Sequence, residues 1–279
     1  MPTAFSRDDL AALVAILKDA ARAEILPRFR RLGAGGIRQK SSALDLVTDA
    51  DEAAERRITA ALTARFPGCV VVGEEATEQD RSLLGRIADA ELAFVVDPVD
   101  GTWNFAAGLP LFAVMAAAIV KGEIVGAVIL DPIIDSVSVA LRDGGAWTES
   151  ADGVREPLKV APAGPLAEMV AALSFSWLAD PLRTTVARNA AKFGACGAYR
   201  CAGHEYRLVA SGRAHTLLFA KLMPWDHAPG WLIHREAGGY SARFDGSPYL
   251  PSHTDGGLLL APDAASWQIL ARELLVPTA

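Results

Sequence analysis

Residues 97–105 read Asp97-Pro98-Val99-Asp100-Gly101-Thr102-Trp103-Asn104-Phe105. Two carboxylates stand three apart, followed by a glycine able to take positive φ and by a hydroxyl. Carboxylates held this close repel unless a cation lies between them. Hard oxygen donors of this kind suit Mg²⁺ rather than zinc. The segment follows an apolar run, Leu92-Ala93-Phe94-Val95-Val96, which reads as a buried strand. Ends of such strands are where α/β and α+β proteins hold reactive groups. The pattern therefore points to a metal-dependent enzyme.

Three other segments carry acids at the ends of elements. Asp45-Leu46-Val47-Thr48-Asp49-Ala50-Asp51 opens a helix expected over Asp49–Arg65 and stopped by Pro67-Gly68. Gly73-Glu74-Glu75 follows the short strand Cys69-Val70-Val71-Val72. Trp225-Asp226 opens a helix over Asp226–Glu236, stopped by Gly238-Gly239. Each has a plain structural explanation too. Asp49, Asp51 and Asp226 suit helix caps and first turns. Glu74 and Glu75 suit a solvated turn, and Asp97-Pro98 suits a β-turn.

The remaining elements follow from periodicity and breakers. Ser6 caps a helix running to about Arg30, broken by Gly33, Gly35 and Gly36. Phe112–Val120 and Ile124–Leu130 form a hairpin through Lys121-Gly122-Glu123, and Val137–Leu141 and Ala146–Thr148 continue it. Met169–Ser174, Thr216–Phe219 and Gly257–Ala261 read as strands. Leu182–Phe193, Gly203–Ser211 and Ala264–Leu274 read as helices. The stretch Ser150–Pro165, with Gly153, Pro157, Pro162 and Pro165, is the candidate boundary. It divides an N-terminal α+β subdomain, 1–150, which carries most of the acids, from a C-terminal α/β subdomain, 151–279, which carries Asp226.

The 279 residues are 51% hydrophobic and 22% charged, enough for a large core. The net charge of −6 argues against a nucleic-acid polymer or an anionic membrane as partner. Metal ions would let so acidic a chain hold an anionic substrate. Cys69, Cys196 and Cys201 lack the spacing of a disulfide framework or zinc knot. Met1-Pro2-Thr3-Ala4-Phe5 has no signal-peptide pattern, and no apolar run reaches the roughly 18 residues of a membrane span. A cytoplasmic location is expected. His204, His215, His227, His234 and His253 form no metal-ligand spacing, and P-loop and dinucleotide fingerprints are absent.

Taken together, the four acidic segments resemble the inositol monophosphatase family of Mg²⁺-dependent, lithium-sensitive phosphatases. The matching pieces are Leu44-Asp45-Leu46-Val47-Thr48-x2-Asp51, Gly73-Glu74-Glu75, Asp97-Pro98-x-Asp100-Gly101-Thr102-x-Asn104-Phe105 and Trp225-Asp226-x3-Gly230-x2-Ile233-x2-Glu236-Ala237-Gly238-Gly239. The resemblance implies an α+β fold, the layered α/β/α/β/α sandwich of the inositol monophosphatase and fructose-1,6-bisphosphatase type, assembled as a homodimer. It implies two to three Mg²⁺ per site, held by Glu74, Asp97, the Val99 carbonyl, Asp100 and Asp226, with the Thr102 hydroxyl. It makes Asp51, Thr102 and Glu74 the catalytic positions, with Asp51 and Thr102 deprotonating the attacking water. The Gly101 and Thr102 amides would hold the phosphate of a small phosphorylated metabolite. Lys40 matches a lysine on a mobile loop near the metals.

Two departures bear on substrate. Relatives that act on inositol phosphate carry an acid about six residues before Trp-Asp, where this chain has Phe219. The small-residue segment before the next helix reads Arg200-Cys201-Ala202-Gly203-His204-Glu205. Arg200, Ala202, Gly203, Phe219 and Asp226 thus join Lys40 as candidate substrate contacts, and Arg200 or His204 would pair with a second anionic group. Pro229 stands where relatives carry alanine. Inositol-1-phosphate, histidinol phosphate, a sugar bisphosphate and a 3′-phosphonucleotide stay open as substrates. The Asp-x-Asp-Gly-Thr of haloacid dehalogenases is excluded, since Asp97 and Asp100 are three apart and mid-chain. A binding protein that kept the fold would have lost metal ligands, and none is missing.

Overall fold

The computed structural model describes residues 5–33, 35–42 and 45–277. Expectations for Met1–Ala4, Ala34, Leu44 and the Asp45 side chain lie outside the described residues. The elements run α1 (Arg7–Ala20), β1 (Ile37–Ser42), β2 (Asp45–Thr48), α2 (Asp49–Arg65), β3 (Val70–Gly73), α3 (Glu74–Gln79), β4 (Ala93–Asp100) and α4 (Thr102–Ala106). They continue β5 (Ala113–Val120), β6 (Glu123–Asp131), β7 (Ser136–Leu141), β8 (Gly145–Glu149), β9 (Arg155–Pro157), β10 (Val170–Leu173) and α5 (Leu182–Asn189). Last come β11 (Ala195–Gly197), α6 (Ala202–Ala210), β12 (Thr216–Phe219), α7 (Pro224–Glu236), β13 (Tyr240–Arg243), β14 (Leu258–Ala261) and α8 (Ala264–Leu275).

A seven-stranded sheet runs in chain order from β3 to β9, and a five-stranded sheet runs β11-β10-β12-β14-β13. Strands β1 and β2 form a separate antiparallel ribbon. In the large sheet only β3 and β4 pair parallel, and the rest is an antiparallel meander.

Side-chain alternation along the strands builds the layers. On β4, Phe94 and Val96 pack with Leu13, Leu17, Ile58 and Leu62 of α1 and α2. Val95 points the other way, toward Tyr206, Leu232 and Ile233 of α6 and α7. In the second sheet, Leu217, Leu258 and Leu260 face α6 and α7, whereas Leu218, Leu259 and Ala261 pack with Val186, Trp267 and Leu270 of α5 and α8. The order is α1/α2, large sheet, α6/α7, small sheet, α5/α8: an α/β/α/β/α sandwich. Both sheets are covered on both faces, which is why their strands read as unbroken apolar runs. Each fully buried Leu or Phe contributes roughly 1.5–3 kcal/mol of transfer free energy. Gly230 lets the middle layer close, since a Cβ there would lie 2.0 Å from the Tyr206 ring.

Several elements differ from the sequence reading. The first α-helix ends at Ala20 and passes through one π-helical turn, Ala21–Ile25, instead of reaching Arg30. Lys40 lies on β1, not on a loop. Glu74 and Glu75 open helix α3 rather than forming a turn. The Asp97–Asp100 segment is no β-turn; it continues β4, with a register shift opposite β5. Helix α7 starts at Pro224, so Pro229 is its sixth residue and sits inside it. Strands β1, β2, β9, β11 and β13 had not been expected. All are short, and β9 and β11 are exposed throughout.

Candidate active site

Glu74, Asp97, Asp100 and Asp226, from three distant segments, line one cavity of about 360 Å³ between the C-terminal end of β4 and the N-terminal ends of α6 and α7, and Asp51 of a fourth segment reaches it through Thr102. Each is delivered by local structure. Thr48 caps α2 in a capping box: the Asp51 carboxylate accepts from the Thr48 amide at 2.9 Å and from its hydroxyl. Asp51 is therefore the N3 acceptor of this capping box. Its other oxygen, Oδ1, lies 3.0 Å from the Thr102 hydroxyl. That hydroxyl is also 2.9 Å from the Val99 carbonyl oxygen. One proton cannot serve both acceptors at full strength, so Thr102 stands as a switchable donor between β4 and α2.

Glu74 reaches the site because α3 is pinned from below. The Glu55 carboxylate, buried on α2, accepts from the Glu75 and Ala76 amides at 2.7 and 2.8 Å. These are first-turn amides that the helix itself leaves without partners. A Cβ at Gly73 would fall 2.2 Å from the Glu55 carboxyl carbon, so this approach needs glycine. Lys40 Nζ then lies 2.8 Å from both Glu74 Oε1 and Glu75 Oε1. Those two carboxylates hold the Lys40 ammonium above its ordinary range, against the opposing effect of burial. Glu55 escaped the sequence reading. Its signal was an acid one helical turn beyond Asp51, on the same face.

Asp97 turns back on its own strand, Oδ1 accepting from the Val99 amide at 2.9 Å. One oxygen each from Glu74, Asp97 and Asp226 lies within 4.8 Å of the other two. Asp100, expected beside them as a ligand, is not in this cluster of three. Its carboxylate accepts from the Ala202 amide at 3.1 Å, the Gly203 amide at 2.6 Å and the Cys201 thiol at 3.0 Å. Ala202 and Gly203, expected to touch substrate, direct their amides at Asp100, and Ala202 also lines the cavity. Gly203 has no room for more: a Cβ would lie 2.8 Å from that of Ala113. Gly101 has φ +88°, and a Cβ there would sit 2.9 Å from the Leu111 carbonyl oxygen.

The electrostatics of this arrangement favour either a bound cation or protonation of its carboxylates. Three ionised carboxylates within 4.8 Å repel by about 3–4 kcal/mol per pair at an effective dielectric near 20. Three such pairs rival the whole 5–15 kcal/mol stability of a typical domain. Without metal, Asp97 and Asp226 therefore keep their protons above the ordinary carboxylate range. Burial is the first cause at each: it drives Asp226 up to about 8, Asp51 to about 7 and Asp100 to about 6. Asp97 rises well above the carboxylate range, by burial and then by the Glu74, Asp100 and Asp226 charges. Glu75 rises to about 8. The all-oxygen donor set of Glu74, Asp97 and Asp226 fits a hard cation such as Mg²⁺.

The rest of the wall is mixed. Phe219 stacks on Tyr206 at 5.3 Å between ring centroids and lies 4.7 Å from His227. Burial lowers His227 to about 4 and keeps it neutral. Its Nε2 donates to the Lys221 carbonyl at 2.8 Å and its Nδ1 accepts from the Tyr206 hydroxyl at 3.1 Å, one tautomer serving both. Arg200 lines the cavity with its guanidinium 4.3 Å over the Trp103 ring. Lys221 and Trp177 line it too, and the sequence reading had missed both. His204 does not join them. It faces a second cavity of about 300 Å³, beside Arg207 and 3.9 Å from Asp131, away from the acid cluster.

Comparison with known proteins agrees with this construction. The chain is 34% identical to the Nus factor SuhB of Escherichia coli strain K12 over 206 residues, 72% of this chain and 73% of that protein. It is 33% identical to the inositol-1-monophosphatase of Rhizobium meliloti strain 1021 over 207 residues, 72% and 73% of the two chains. The crystal structure of the extragenic suppressor protein suhB from Bartonella henselae superposes with a TM-score of 0.79 at 27% identity, covering 95% of this chain and 97% of that one. The model of the inositol monophosphatase family matches residues 7–275. With its fold, its acid cluster and these matches, the chain belongs to the inositol monophosphatase family of phosphomonoester hydrolases.

Proposed function

We propose that this protein is a Mg²⁺-dependent, lithium-sensitive phosphatase of small phosphorylated metabolites. The observation that carries the reading is the convergence of Glu74, Asp97 and Asp226 beside the Asp51–Thr102–Val99 chain. Glu74, Asp97 and Asp226, with the Val99 carbonyl and the Thr102 hydroxyl, would hold two to three Mg²⁺, and Asp100 adds its charge from the edge. Bound there, Mg²⁺ supplies neutralisation of phosphoryl charge and a more acidic water.

The chain's own groups do the rest. Water attacks phosphorus, and the bond from phosphorus to the ester oxygen breaks. The electron pair goes to the leaving oxygen, which takes a proton from solvent water, and inorganic phosphate and an alcohol result. Thr102 accepts a hydrogen bond from the water while donating to Asp51, which takes up the proton. Burial supports Asp51 in that role, because a carboxylate near 7 is a better base than one near 4. The Gly101 and Thr102 amides, at a left-handed turn without a Cβ in the way, would hold the phosphate.

We read the chain as two subdomains, 1–150 and 151–279. The large sheet runs past 150 through β9 to Pro157 and the small sheet begins at Val170, so the passage from one to the other falls within 158–169. We further propose a homodimer in the cytoplasm with no nucleic-acid polymer or membrane as partner. The net charge of −6 argues against a polyanionic partner, and among the described residues no helix is long and apolar enough to cross a membrane. The test is phosphate release from inositol-1-phosphate and glycerol-2-phosphate with Mg²⁺, with EDTA and with added lithium. Release that EDTA abolishes and lithium lowers is the expected result. Equal release with EDTA would overturn the metal-dependent reading.

A further inference from the structure

The second cavity, of about 300 Å³, lies beside α6 and shares no wall residue with the acid-lined one. Its floor follows from alternation on β7. Val137 and Val139 turn toward α1 and α2, so Ser136, Ser138 and Ala140 turn toward α6. Two serines, with Asp131 of β6, are thereby buried in a face that is otherwise apolar. Arg207 of α6 meets them. Its Nη2 donates to the Ser136 hydroxyl at 3.1 Å, and its Nη1 lies 3.1 Å from Asp131 Oδ2. That second pair is misaligned, and among the described residues Nη1 makes no hydrogen bond. A buried donor left in this way calls for a partner.

The other groups of the wall have capacity to spare. The Ser138 hydroxyl lines the cavity and has no hydrogen-bond partner among the described residues. Arg213, exposed just beyond the end of α6, lines it too and forms no ion pair among them. Asp131 is partly committed, since its Oδ1 accepts from the Ile133 amide at 3.0 Å. Burial lowers the Arg207 guanidinium from its ordinary range, Asp131 opposes this, and the Arg213 charge adds to the lowering. Burial also lowers His204, which keeps that ring neutral. Two guanidiniums thus face one carboxylate, in a chain whose net charge is −6. Such a local excess of positive charge attracts an anion.

We infer that this cavity is a binding site for a small phosphate-bearing anion, held by Arg213, Arg207 and the Ser138 hydroxyl, separate from the site of hydrolysis. Phosphate matches this donor set because its several oxygens accept from two guanidiniums and a hydroxyl at once. A space of about 300 Å³ is at the small end of ligand pockets and suits a small metabolite, not a polymer.

The experiment is calorimetric titration of the full chain with inorganic phosphate, in Mg²⁺ and in EDTA. With Mg²⁺, two phosphates per chain are expected, one of them competing with substrate at the acid-lined cavity. In EDTA that one is lost, because carboxylates without metal repel phosphate, and the other stays. Arg213→Ala should weaken the EDTA-resistant phosphate by about tenfold or more, and Arg213→Lys should recover most of the loss. Neither variant should change kcat/KM on glycerol-2-phosphate. Titration of glycerol-2-phosphate in EDTA separates the two sources: tighter binding than inorganic phosphate assigns the site to a phosphate ester, weaker binding to free phosphate. Succinate, a dianion without phosphate, should bind about tenfold more weakly than either. No phosphate bound in EDTA, an EDTA-resistant phosphate unmoved by Arg213→Ala, or succinate bound as tightly, overturns the inference. Failure of the phosphatase reading shows separately, as no release from any ester in Mg²⁺, and leaves the EDTA titration untouched.

Discussion

The Thr102 hydroxyl has one proton and two acceptors, Asp51 Oδ1 at 3.0 Å and the Val99 carbonyl at 2.9 Å. Its removal should spare the acid cluster and cut the route from water to base. Thr102→Ala is therefore expected to lower kcat by about 100-fold, the low end of general-base contributions, while Mg²⁺ still raises the melting temperature. Asp97→Asn should lose both the activity and that thermal shift, because Asp97 is in the cluster itself. A Thr102→Ala protein with near-normal kcat would remove the hydroxyl from the mechanism. Asp51, raised by burial to about 7, must lose its proton to act. The rate should thus fall on acidification, and Asp51→Asn should abolish that limb along with most of the rate. Mg²⁺ moves the limb below 7, since nearby positive charge favours the carboxylate.

At the scale of elements, the site depends on how closely helices approach one another. Helix α6 aims two amides at Asp100 and has no space to spare at Gly203, where a Cβ would meet Ala113 at 2.8 Å and Asp100 Oδ2 at 3.1 Å. Gly203→Ala should destabilise the fold by about 1–3 kcal/mol, as overpacking does, and weaken the response to Mg²⁺. Gly85, with nothing within 4 Å of an added Cβ, is the control, and its alanine variant should stay within about 0.5 kcal/mol of the parent. Thermal or urea unfolding of the two variants reads both numbers. Helix α3 depends in the same way on Glu55. Glu55→Ala leaves two buried first-turn amides unpaired and should cost about 1–3 kcal/mol.

Over the whole molecule, burial of so many acids couples stability to pH. In the unfolded chain these carboxyls ionise near 4, whereas in the folded metal-free protein Asp100 waits until about 6, Asp51 until about 7, and Glu75 and Asp226 until about 8. Between those limits the folded state binds more protons, so metal-free stability must fall as pH rises from about 4 to about 8. Mg²⁺ opposes this by replacing the protons, and its stabilising effect should grow over the same range. Melting curves at pH 5 to 8, in EDTA and in Mg²⁺, should diverge as pH rises. Parallel curves would contradict the charge balance derived for the site.

Much of this was legible in local sequence. Thr48-x-x-Asp51 is a capping box whose two side chains need only one helical turn to meet. Runs such as Val114–Ile119 are strands buried on both faces, and Gly101 sits at a left-handed turn. The order of the acidic segments identified the family. What local sequence could not supply was contact between residues far apart in the chain. Asp51 meets Thr102 across 51 positions, and Asp100 meets Gly203 across 103. Glu55 beneath α3, the hold of the Ala202 and Gly203 amides on Asp100, and the placement of His204 at another cavity all belong to this class. Short ribbons such as β1–β2 escaped because their few residues carry too little periodicity to stand out. By itself the sequence determined which residues cap, turn and alternate, since those depend on neighbours within a turn or two. The tertiary structure decided which acids share one cavity, because that follows from two sheets each burying both faces against a common layer of helices.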